Sequence, residues 1–301
     1  MRSIHEAYSK SLASLSDSQR RNMRMKVYHE TIEIVRQGRY PLPSGIFVDL
    51  IKDQDREALQ RNMQISHPSD LTLPPFQMTN TRVIVYDGDC IEAGIQMKRL
   101  GFNPVILNMA NTRTPGGGVT SGAGAQEESI FRRTNYFQHL KDNLAVRYPI
   151  SLTGAVYSPD VVVFRDTEAS QYSLFEEPIN LSFIACAALR NPDLANQHYK
   201  PKDLETMRHK IRAIYSLSAA NMHNCLILSA FGCGAYKNPP IEVARLFREQ
   251  LETSEFQGRF ERVIFAIFND HNSQRQHNPQ GNIKPFSDIF ETPIVDLNQL
   301  N

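Results

Sequence analysis

Two adjacent glutamates are the side chains of this sequence best suited to acid–base chemistry. Glu127 and Glu128 directly follow residues 114–125, a stretch that contains five glycines. A carboxyl group that donates a proton and later recovers it is what cleavage of a glycosidic bond requires. Neighbouring residues of a helix point about 100° apart, so one carboxylate can face a reacting bond while the other holds a different group of the ligand. The alternative is that both acids only complement the positive end of a helix.

The glycines before these acids predict a loop whose backbone lies against a ligand. Glycine tolerates positive φ and lacks the Cβ that would hold a phosphate or sugar away, so backbone N–H groups can bind oxygen atoms. The glycine spacings of phosphate-binding and dinucleotide-binding loops are absent here and in a second glycine-containing stretch, Gly232–Tyr236. A mobile surface loop could have the same composition.

Further polar candidates stand at the ends of predicted strands. Asp89 and Asn108 each follow or end a short apolar run, and Phe268 and Asn269 follow another. Ligands of open α/β sheets bind beyond the carboxyl ends of the strands, so these residues are candidates for the same site. A turn aspartate at Asp89 and an asparagine that satisfies turn backbone at Asn108 are the structural alternatives.

The elements that must position these residues begin near residue 81, where apolar runs alternate with segments of helical period. The predicted strands are residues 82–86, 105–108, 161–164, 226–229 and 262–268. The predicted helices are residues 91–100, 126–147, 182–190, 203–222 and 241–252. This alternation predicts a three-layer α/β/α architecture. A further helix over residues 17–38 lies in residues 1–80, which we expect to be a helical accessory region before a catalytic domain at 81–301.

Composition excludes several classes of protein. The chain has 33 Lys and Arg against 32 Asp and Glu, and a net charge of +1 excludes a surface built throughout to hold nucleic acid. The excess of Lys and Arg over Asp and Glu in residues 1–39 predicts a solvent-exposed helix face. The four cysteines lack metal-site spacing and the chain has no signal peptide or apolar membrane segment, so we expect a soluble cytoplasmic protein without metal or other cofactor.

Three motifs resemble one enzyme family. The signature of poly(ADP-ribose) glycohydrolases resembles one stretch of this chain: Gly116-Gly117-Gly118, seven further residues and then Gln126-Glu127-Glu128. The sequences of residues 105–136 and 231–240 are similar to the microbial-type branch of that family. The resemblance extends over about residues 20–290. It implies a macrodomain-like fold with a mixed central sheet and hydrolysis of ribose–ribose O-glycosidic bonds from chain ends, with ADP-ribose as product.

The resemblance also implies roles for individual residues. Glu128 would be the catalytic acid and base, and Glu127 would orient ribose hydroxyls. Asp89 and the Cys90 backbone would bind adenine. The other residues implied in substrate binding are Asn108 near the distal ribose, Gly116, Gly117, Gly118 and Gln126 around the acids, Gly232, Cys233, Gly234, Ala235 and Tyr236 around the diphosphate, and Phe268 and Asn269 at the adenine face.

Other functions remain open at this point. The same pocket would serve an enzyme that removes a single ADP-ribose from a protein, and it would serve a non-catalytic ADP-ribose-binding module that needs Asp89 and the glycines but not Glu128. Cys233 with His271 could form a thiol nucleophile, although a cysteine between two glycines is typical of close packing. We expect a monomer that acts on poly(ADP-ribose) or on ADP-ribosylated protein, with no membrane partner.

Overall fold

The computed structural model describes residues 15–50, 53–268 and 274–300. The helices are α1 (Asp17–Gln37), α2 (Asp53–Gln60), α3 (Cys90–Arg99), α4 (Gln126–Arg133), α5 (Tyr136–Leu140), α6 (Pro201–Ala220), α7 (Pro240–Leu251) and α8 (Lys284–Phe290). The strands are β1 (Arg39–Pro41), β2 (Phe47–Asp49), β3 (Met63–Ile65), β4 (Arg82–Tyr86), β5 (Pro104–Met109), β6 (Ala155–Arg165), β7 (Leu174–Cys186), β8 (Leu194–Ala195), β9 (His198–Tyr199), β10 (Cys225–Leu228), β11 (Arg262–Ala266) and β12 (Ile294–Val295).

The chain forms two compact units, each assembled from several segments. The first unit consists of Met1–Asn62, Arg113–Tyr148 and Ser158–Leu181, and the second of Met63–Thr112, Pro149–Tyr157 and Ser182–Asn301. The division into an accessory region before residue 81 and a catalytic domain after it stays a prediction.

The second unit contains most of a mixed sheet. Eight strands follow the order β12-β4-β11-β10-β5-β7-β6-β3, and β3 runs antiparallel to β6. The pairs from β12 to β7 are parallel: β12 with β4, β4 with β11, β11 with β10, β10 with β5, and β5 with the Ser182–Cys186 part of β7. The strand interiors are apolar and buried, as expected for parallel strands covered on both faces. The predicted α/β class with a mixed central sheet is confirmed.

Helix α1 belongs to the first unit, and both of its ends carry capping interactions. Ser16 Oγ accepts from the Gln19 N–H at 3.2 Å and Gln19 Oε1 accepts from the Ser16 N–H at 2.8 Å, which makes a capping box. At the other end Gly38 has a φ of 73°, the left-handed conformation that ends many helices. The helix predicted at residues 17–38 is therefore confirmed.

Two helix predictions were wrong. Residues 182–190 were predicted to be a helix, but Ser182–Cys186 are the end of β7, where small and apolar side chains are buried as the strand pairs with β5. The helix predicted at 126–147 ends at Arg133, because Thr134 takes an extended conformation. The Thr134 hydroxyl donates to the Ile130 carbonyl at 2.8 Å and accepts from the Tyr136 N–H at 3.1 Å, so it separates α4 from α5.

Candidate active site

Both candidate glutamates bind the glycine-rich loop through its backbone. They lie in the first turn of α4 and are only 4% (Glu127) and 7% (Glu128) exposed. Glu127 Oε1 accepts from the Gly116 N–H at 3.1 Å, and Glu128 Oε1 accepts from the Gly118 N–H at 2.9 Å. The acids therefore do more than complement the helix dipole, because each fixes one end of the triple-glycine segment.

One oxygen of the pair is buried without a partner. Glu128 Oε2 makes no hydrogen bond to any residue that the structure describes. Buried carboxylate oxygens are normally hydrogen-bonded, so an unpaired one is a candidate contact for a ligand or a water molecule. Oε2 is thus the oxygen of this carboxyl that no hydrogen bond within the described residues uses, while Oε1 fixes its orientation.

The triple glycine is needed for these contacts. Gly116 and Gly117 have φ values of 79° and 53°. A Cβ on Gly117 would lie 2.6 Å from Glu128 Oε1 and 3.0 Å from Glu127 Oε2, and a Cβ on Gly116 would lie 2.6 Å from the Phe131 ring. The glycine composition predicts a ligand against this loop, but the carboxylates themselves also occupy the space that the missing side chains leave. Gln126, the first residue of α4, is half-buried.

Tyr148 is a residue beside this cluster that the sequence analysis missed. Its hydroxyl oxygen is buried and has no hydrogen-bond partner among the described residues. Burial raises the pKa of Tyr148, and the charge of Glu127 raises it further. The phenol therefore stays protonated close to the acids. No local sequence signal marks it, since it stands outside every motif.

In the second unit, Asp89 caps the first turn of a helix. Its Oδ1 accepts from the N–H groups of Ile91 and Glu92, both at 3.0 Å, and so caps α3. The turn interpretation of Asp89 is therefore correct for this oxygen. Cys90 follows as the buried first residue of α3. The cap holds the Asp89 carboxylate at the carboxyl end of β4.

Asn108 differs from the turn residue that was the alternative. It lies within β5, is fully buried, and neither its Nδ2 nor its Oδ1 has a partner among the described residues. An unpaired buried polar group costs about 1–3 kcal/mol. An amide that stays unpaired in this position is thus a candidate to bind a group that is both a donor and an acceptor, such as a hydroxyl.

The loop Gly232–Tyr236 follows β10 and is held by a residue outside the predicted site. Gly232 has a φ of 75°, and a Cβ there would lie 2.5 Å from the Ala188 Cβ. Asn238 Nδ2 donates to the carbonyls of Leu189 at 2.7 Å and Gly232 at 3.0 Å, and Asn238 Oδ1 accepts from the Tyr199 hydroxyl at 2.8 Å.

The side chains of this loop differ in exposure. Ala235 is exposed and Gly234 is half-buried. Tyr236 is half-buried and packs against the core of the second unit. Cys233 is completely buried, and burial raises the pKa of its thiol. A raised pKa disfavours a thiolate nucleophile. Its proposed partner His271 lies outside the described residues.

The parallel strands bring the second-unit candidates to one edge. β4, β5, β10 and β11 run in the same direction, so the residues that follow or end them lie at the same side of the sheet. Phe268 follows β11 and is 57% exposed, which leaves its ring free to stack on a planar group. Asn269 lies outside the described residues.

Two kinds of feature are absent from the described part of the chain. No group of three or more His, Cys, Asp or Glu residues is arranged to hold a metal ion. None of its helices combines the length and the apolar character needed to cross a membrane.

Comparisons with known proteins agree with the motif resemblance. Residues 29–166 match the family model described as microbial-type PARG, catalytic domain. Poly(ADP-ribose) glycohydrolase from Thermomonospora curvata is 27% identical, with a TM-score of 0.77 over 90% of this chain and 100% of that one. The same enzyme bound to the inhibitor ADP-HPD gives a TM-score of 0.73 over 89% of this chain and 99% of that one, again at 27% identity.

A second organism gives the same result. Poly(ADP-ribose) glycohydrolase from Deinococcus radiodurans in complex with ADP-ribose is 27% identical, with a TM-score of 0.63 over 80% of this chain and 98% of that one. A search of curated proteins gives no match. The chain thus has the fold of bacterial poly(ADP-ribose) glycohydrolases over most of its length, and its residues 29–166 match the model of the microbial-type PARG catalytic domain.

Proposed function

We propose that this protein is a poly(ADP-ribose) glycohydrolase that hydrolyses ribose–ribose O-glycosidic bonds from chain ends and releases ADP-ribose. The observation that carries the proposal is the Glu128 carboxyl, whose Oε1 is fixed by the Gly118 N–H while Oε2 is buried and unpaired among the described residues. Both residues lie in the segment that matches the microbial-type PARG catalytic domain. Structures similar to this chain bind ADP-ribose and ADP-HPD.

The proposed reaction uses Glu128 in both of its proton transfers. Protonated Glu128 gives its proton to the departing ribose oxygen as the glycosidic C–O bond breaks, and the remaining ribose acquires oxocarbenium character. The carboxylate then takes a proton from a water molecule whose oxygen bonds to the anomeric carbon, which restores the acid. A single carboxyl serves both steps, unlike the two-carboxylate scheme of most glycosidases. The substrate's own diphosphate is the proposed source of negative charge near the developing cation.

The remaining candidates have proposed binding roles that match their surroundings. Glu127 would orient ribose hydroxyls, and the unpaired amide of Asn108 suits a further ribose hydroxyl. The N–H groups of residues 232–236 suit a diphosphate because a backbone concavity binds anions without Lys or Arg. Asp89 with Cys90, and Phe268 with Asn269, would hold the adenine. We also propose a monomer, and we place it in the cytoplasm because all four cysteines are buried and none forms a disulfide.

The variant Glu128→Gln tests this function. It keeps the shape of the side chain and a hydrogen-bond acceptor for Gly118, but it cannot carry the proton. We expect kcat on poly(ADP-ribose) to fall by about 10²- to 10⁴-fold, while calorimetry gives an ADP-ribose affinity within about threefold of the parent. Glu177→Gln makes the same change at an exposed position and should leave both values unchanged.

The same assays separate the alternatives. Release of ADP-ribose from mono-modified protein without shortening of free polymer would identify the single-unit hydrolase. ADP-ribose binding with no turnover of either substrate would identify a binding module. Undiminished polymer hydrolysis by Glu128→Gln would refute the proposed mechanism.

A further inference from the structure

The second half of the glycine-rich loop packs directly on helix α1. A Cβ on Gly122 would lie 2.3 Å from the Arg21 carbonyl oxygen, and a Cβ on Gly124 would lie 2.3 Å from Arg24 Nη1. No side chain fits at either place without movement of the helix backbone or of the Arg24 guanidinium. The loop that ends at the two glutamates is therefore shaped by residues about a hundred positions earlier in the chain.

Arg24 is itself held in place by a two-point ion pair. Its Nε donates to Glu168 Oε2 at 2.9 Å and its Nη2 donates to Glu168 Oε1 at 3.0 Å. The Tyr172 hydroxyl, which is also buried, donates to Glu168 Oε2 at 3.0 Å. A planar guanidinium paired with a carboxylate in this way has a defined orientation, unlike a single-point contact.

Arg132 connects Tyr172 to the backbone of the glycine-rich loop at Ala123. Its guanidinium is fully buried; Nε donates to the Tyr172 hydroxyl at 2.9 Å and Nη1 donates to the Ala123 carbonyl at 2.7 Å. The Thr31 hydroxyl of α1 donates to the Arg132 carbonyl at 2.7 Å. Arg132 lies one turn after Glu128 in α4, so these bonds fix the acid-bearing helix and the loop before it together.

We propose that Arg24, Glu168, Tyr172 and Arg132, here called the loop network, are positioning residues for Glu128. The proposal rests on the proposed function. A loop of several glycines has a large conformational entropy, and hydrogen bonds from the triple glycine to the acids hold only its first half. The loop network holds the second half at Ala123 and Gly124. Buried polar networks specify one arrangement through their paired members, and here the Arg132 Nε and Nη1 donors are paired while Nη2 is buried without a partner among the described residues.

Two variants break the loop network at different contacts. Tyr172→Phe removes the hydroxyl between Glu168 and Arg132, and Arg24→Ala removes the ion pair and the contact with Gly124. We expect each to lower kcat on poly(ADP-ribose) by about 10- to 100-fold, because a misplacement of about 1 Å at the reacting group has that effect. The KM should stay within about threefold, and the stoichiometry of ADP-ribose bound in calorimetry, which counts folded sites, should stay at the parent value.

A matched control distinguishes positioning from general loss of ion pairs. Arg208 makes a comparable two-point pair with Glu249 in the second unit, with Nε at 2.6 Å and Nη2 at 3.2 Å. Arg208→Ala should leave kcat within about twofold of the parent. A kcat that falls equally in the control, or that stays at the parent value in Tyr172→Phe and Arg24→Ala, would overturn the proposal.

The contact at Gly124 provides a second test. Gly124→Ala should displace Arg24 and lower kcat in the parent, but it should have no further effect in the Arg24→Ala background, where the obstructing atoms are gone. An equal loss of kcat in both backgrounds would overturn the proposal.

Hydrogen exchange of the amides of residues 116–125 completes the experiment. Faster exchange in Tyr172→Phe and Arg24→Ala than in the parent and in Arg208→Ala supports the loop network, and unchanged exchange refutes it. This readout does not depend on turnover, so it decides on the loop network even if the parent fails to hydrolyse the polymer. That failure would refute the proposed function alone.

Discussion

Gly117 is the residue at which backbone conformation and acid placement depend on each other most closely. Its φ of 53° is unfavourable for a side chain, and a Cβ would lie 2.6 Å from Glu128 Oε1. We expect Gly117→Ala to lower the free energy of unfolding by about 1–2 kcal/mol through the backbone conformation. It should also lower kcat at least about tenfold, because the Glu128 carboxylate must move. Urea denaturation and polymer hydrolysis measure the two effects.

Gly45 is the control for this substitution. Its φ is 84°, and nothing lies within 4 Å of the position that a Cβ would take. Gly45→Ala should therefore show the cost in stability without the loss of activity. If Gly117→Ala kept the parent kcat, the contact between the triple glycine and Glu128 would have no catalytic importance.

We expect substitution of Asn108 to change protein stability and ADP-ribose affinity in opposite directions. Replacing an unpaired buried amide with an apolar side chain of similar size removes a desolvation cost, so Asn108→Leu should leave the free energy of unfolding unchanged or raise it by about 1 kcal/mol. The same variant should bind ADP-ribose about tenfold more weakly, since the hydrogen bond proposed between Asn108 and a ribose hydroxyl is lost. Chemical denaturation and calorimetry test both. Marked destabilisation would show that Asn108 is a structural residue.

Single residues show where sequence reasoning succeeds and where it stops. The position of Glu127 and Glu128 beside the triple glycine could be predicted, because both are close in sequence and one motif contains them. A turn aspartate was one of two open interpretations of Asp89, and the local hydrogen bonds of Oδ1 confirm it for that oxygen, while adenine binding stays a prediction. Tyr148, Arg24 and Glu168 could not be predicted, because their contacts join residues far apart in sequence and no spacing marks them.

At the scale of elements, the loop after β10 depends on a residue that follows it. Asn238 is buried and donates to the carbonyls of Leu189 and Gly232 while it accepts from the Tyr199 hydroxyl. Asn238→Leu leaves these groups unpaired, so we expect the free energy of unfolding to fall by about 1–3 kcal/mol. ADP-ribose affinity should fall with it if the loop binds the diphosphate. An affinity equal to that of the parent would contradict that role for the loop.

Elements with a strong local pattern were predicted well. β4 has the predicted bounds, and α6 and α7 differ from their predictions by one or two residues, because their periodicity and end signals are local. The failure at residues 182–190 has a physical cause: a short run of small and apolar residues fits a buried strand as well as a buried helix, and pairing with β5 decides between them. The early end of α4 likewise depends on Thr134, which forms a bridge with Val163 in β6.

At the scale of the whole molecule, His139 gives the stability a dependence on pH. The ring is buried, its Nδ1 lies 3.0 Å from Asn62 Oδ1, and its Nε2 has no partner among the described residues. Burial lowers the pKa of His139 to about 3. The unfolded chain, with an ordinary histidine pKa, binds a proton that the folded chain excludes. The histidine therefore favours folding above about pH 6.5, and this contribution is lost as the pH falls toward 3.

The contribution of His139 to the pH dependence of stability can be measured by comparing the parent with His139→Gln. One proton per molecule corresponds to about 1.4 kcal/mol for each pH unit, so the loss at pH 5 is up to about 2 kcal/mol. We expect the free energy of unfolding from urea titrations to fall more steeply between pH 7 and pH 5 in the parent than in His139→Gln. Parallel curves for the two proteins would show that His139 is protonated in the folded state.

The burial of every thiol in the chain has a practical consequence. Cys90, Cys186, Cys225 and Cys233 are all inaccessible in the folded protein, so an alkylating label added under native conditions has no native target. A cysteine introduced in place of the exposed Ala235, whose proposed contact with the diphosphate is made by its backbone N–H, would then be modified selectively. A fluorophore attached there would report occupancy of the proposed diphosphate site in real time, without removal of any native cysteine.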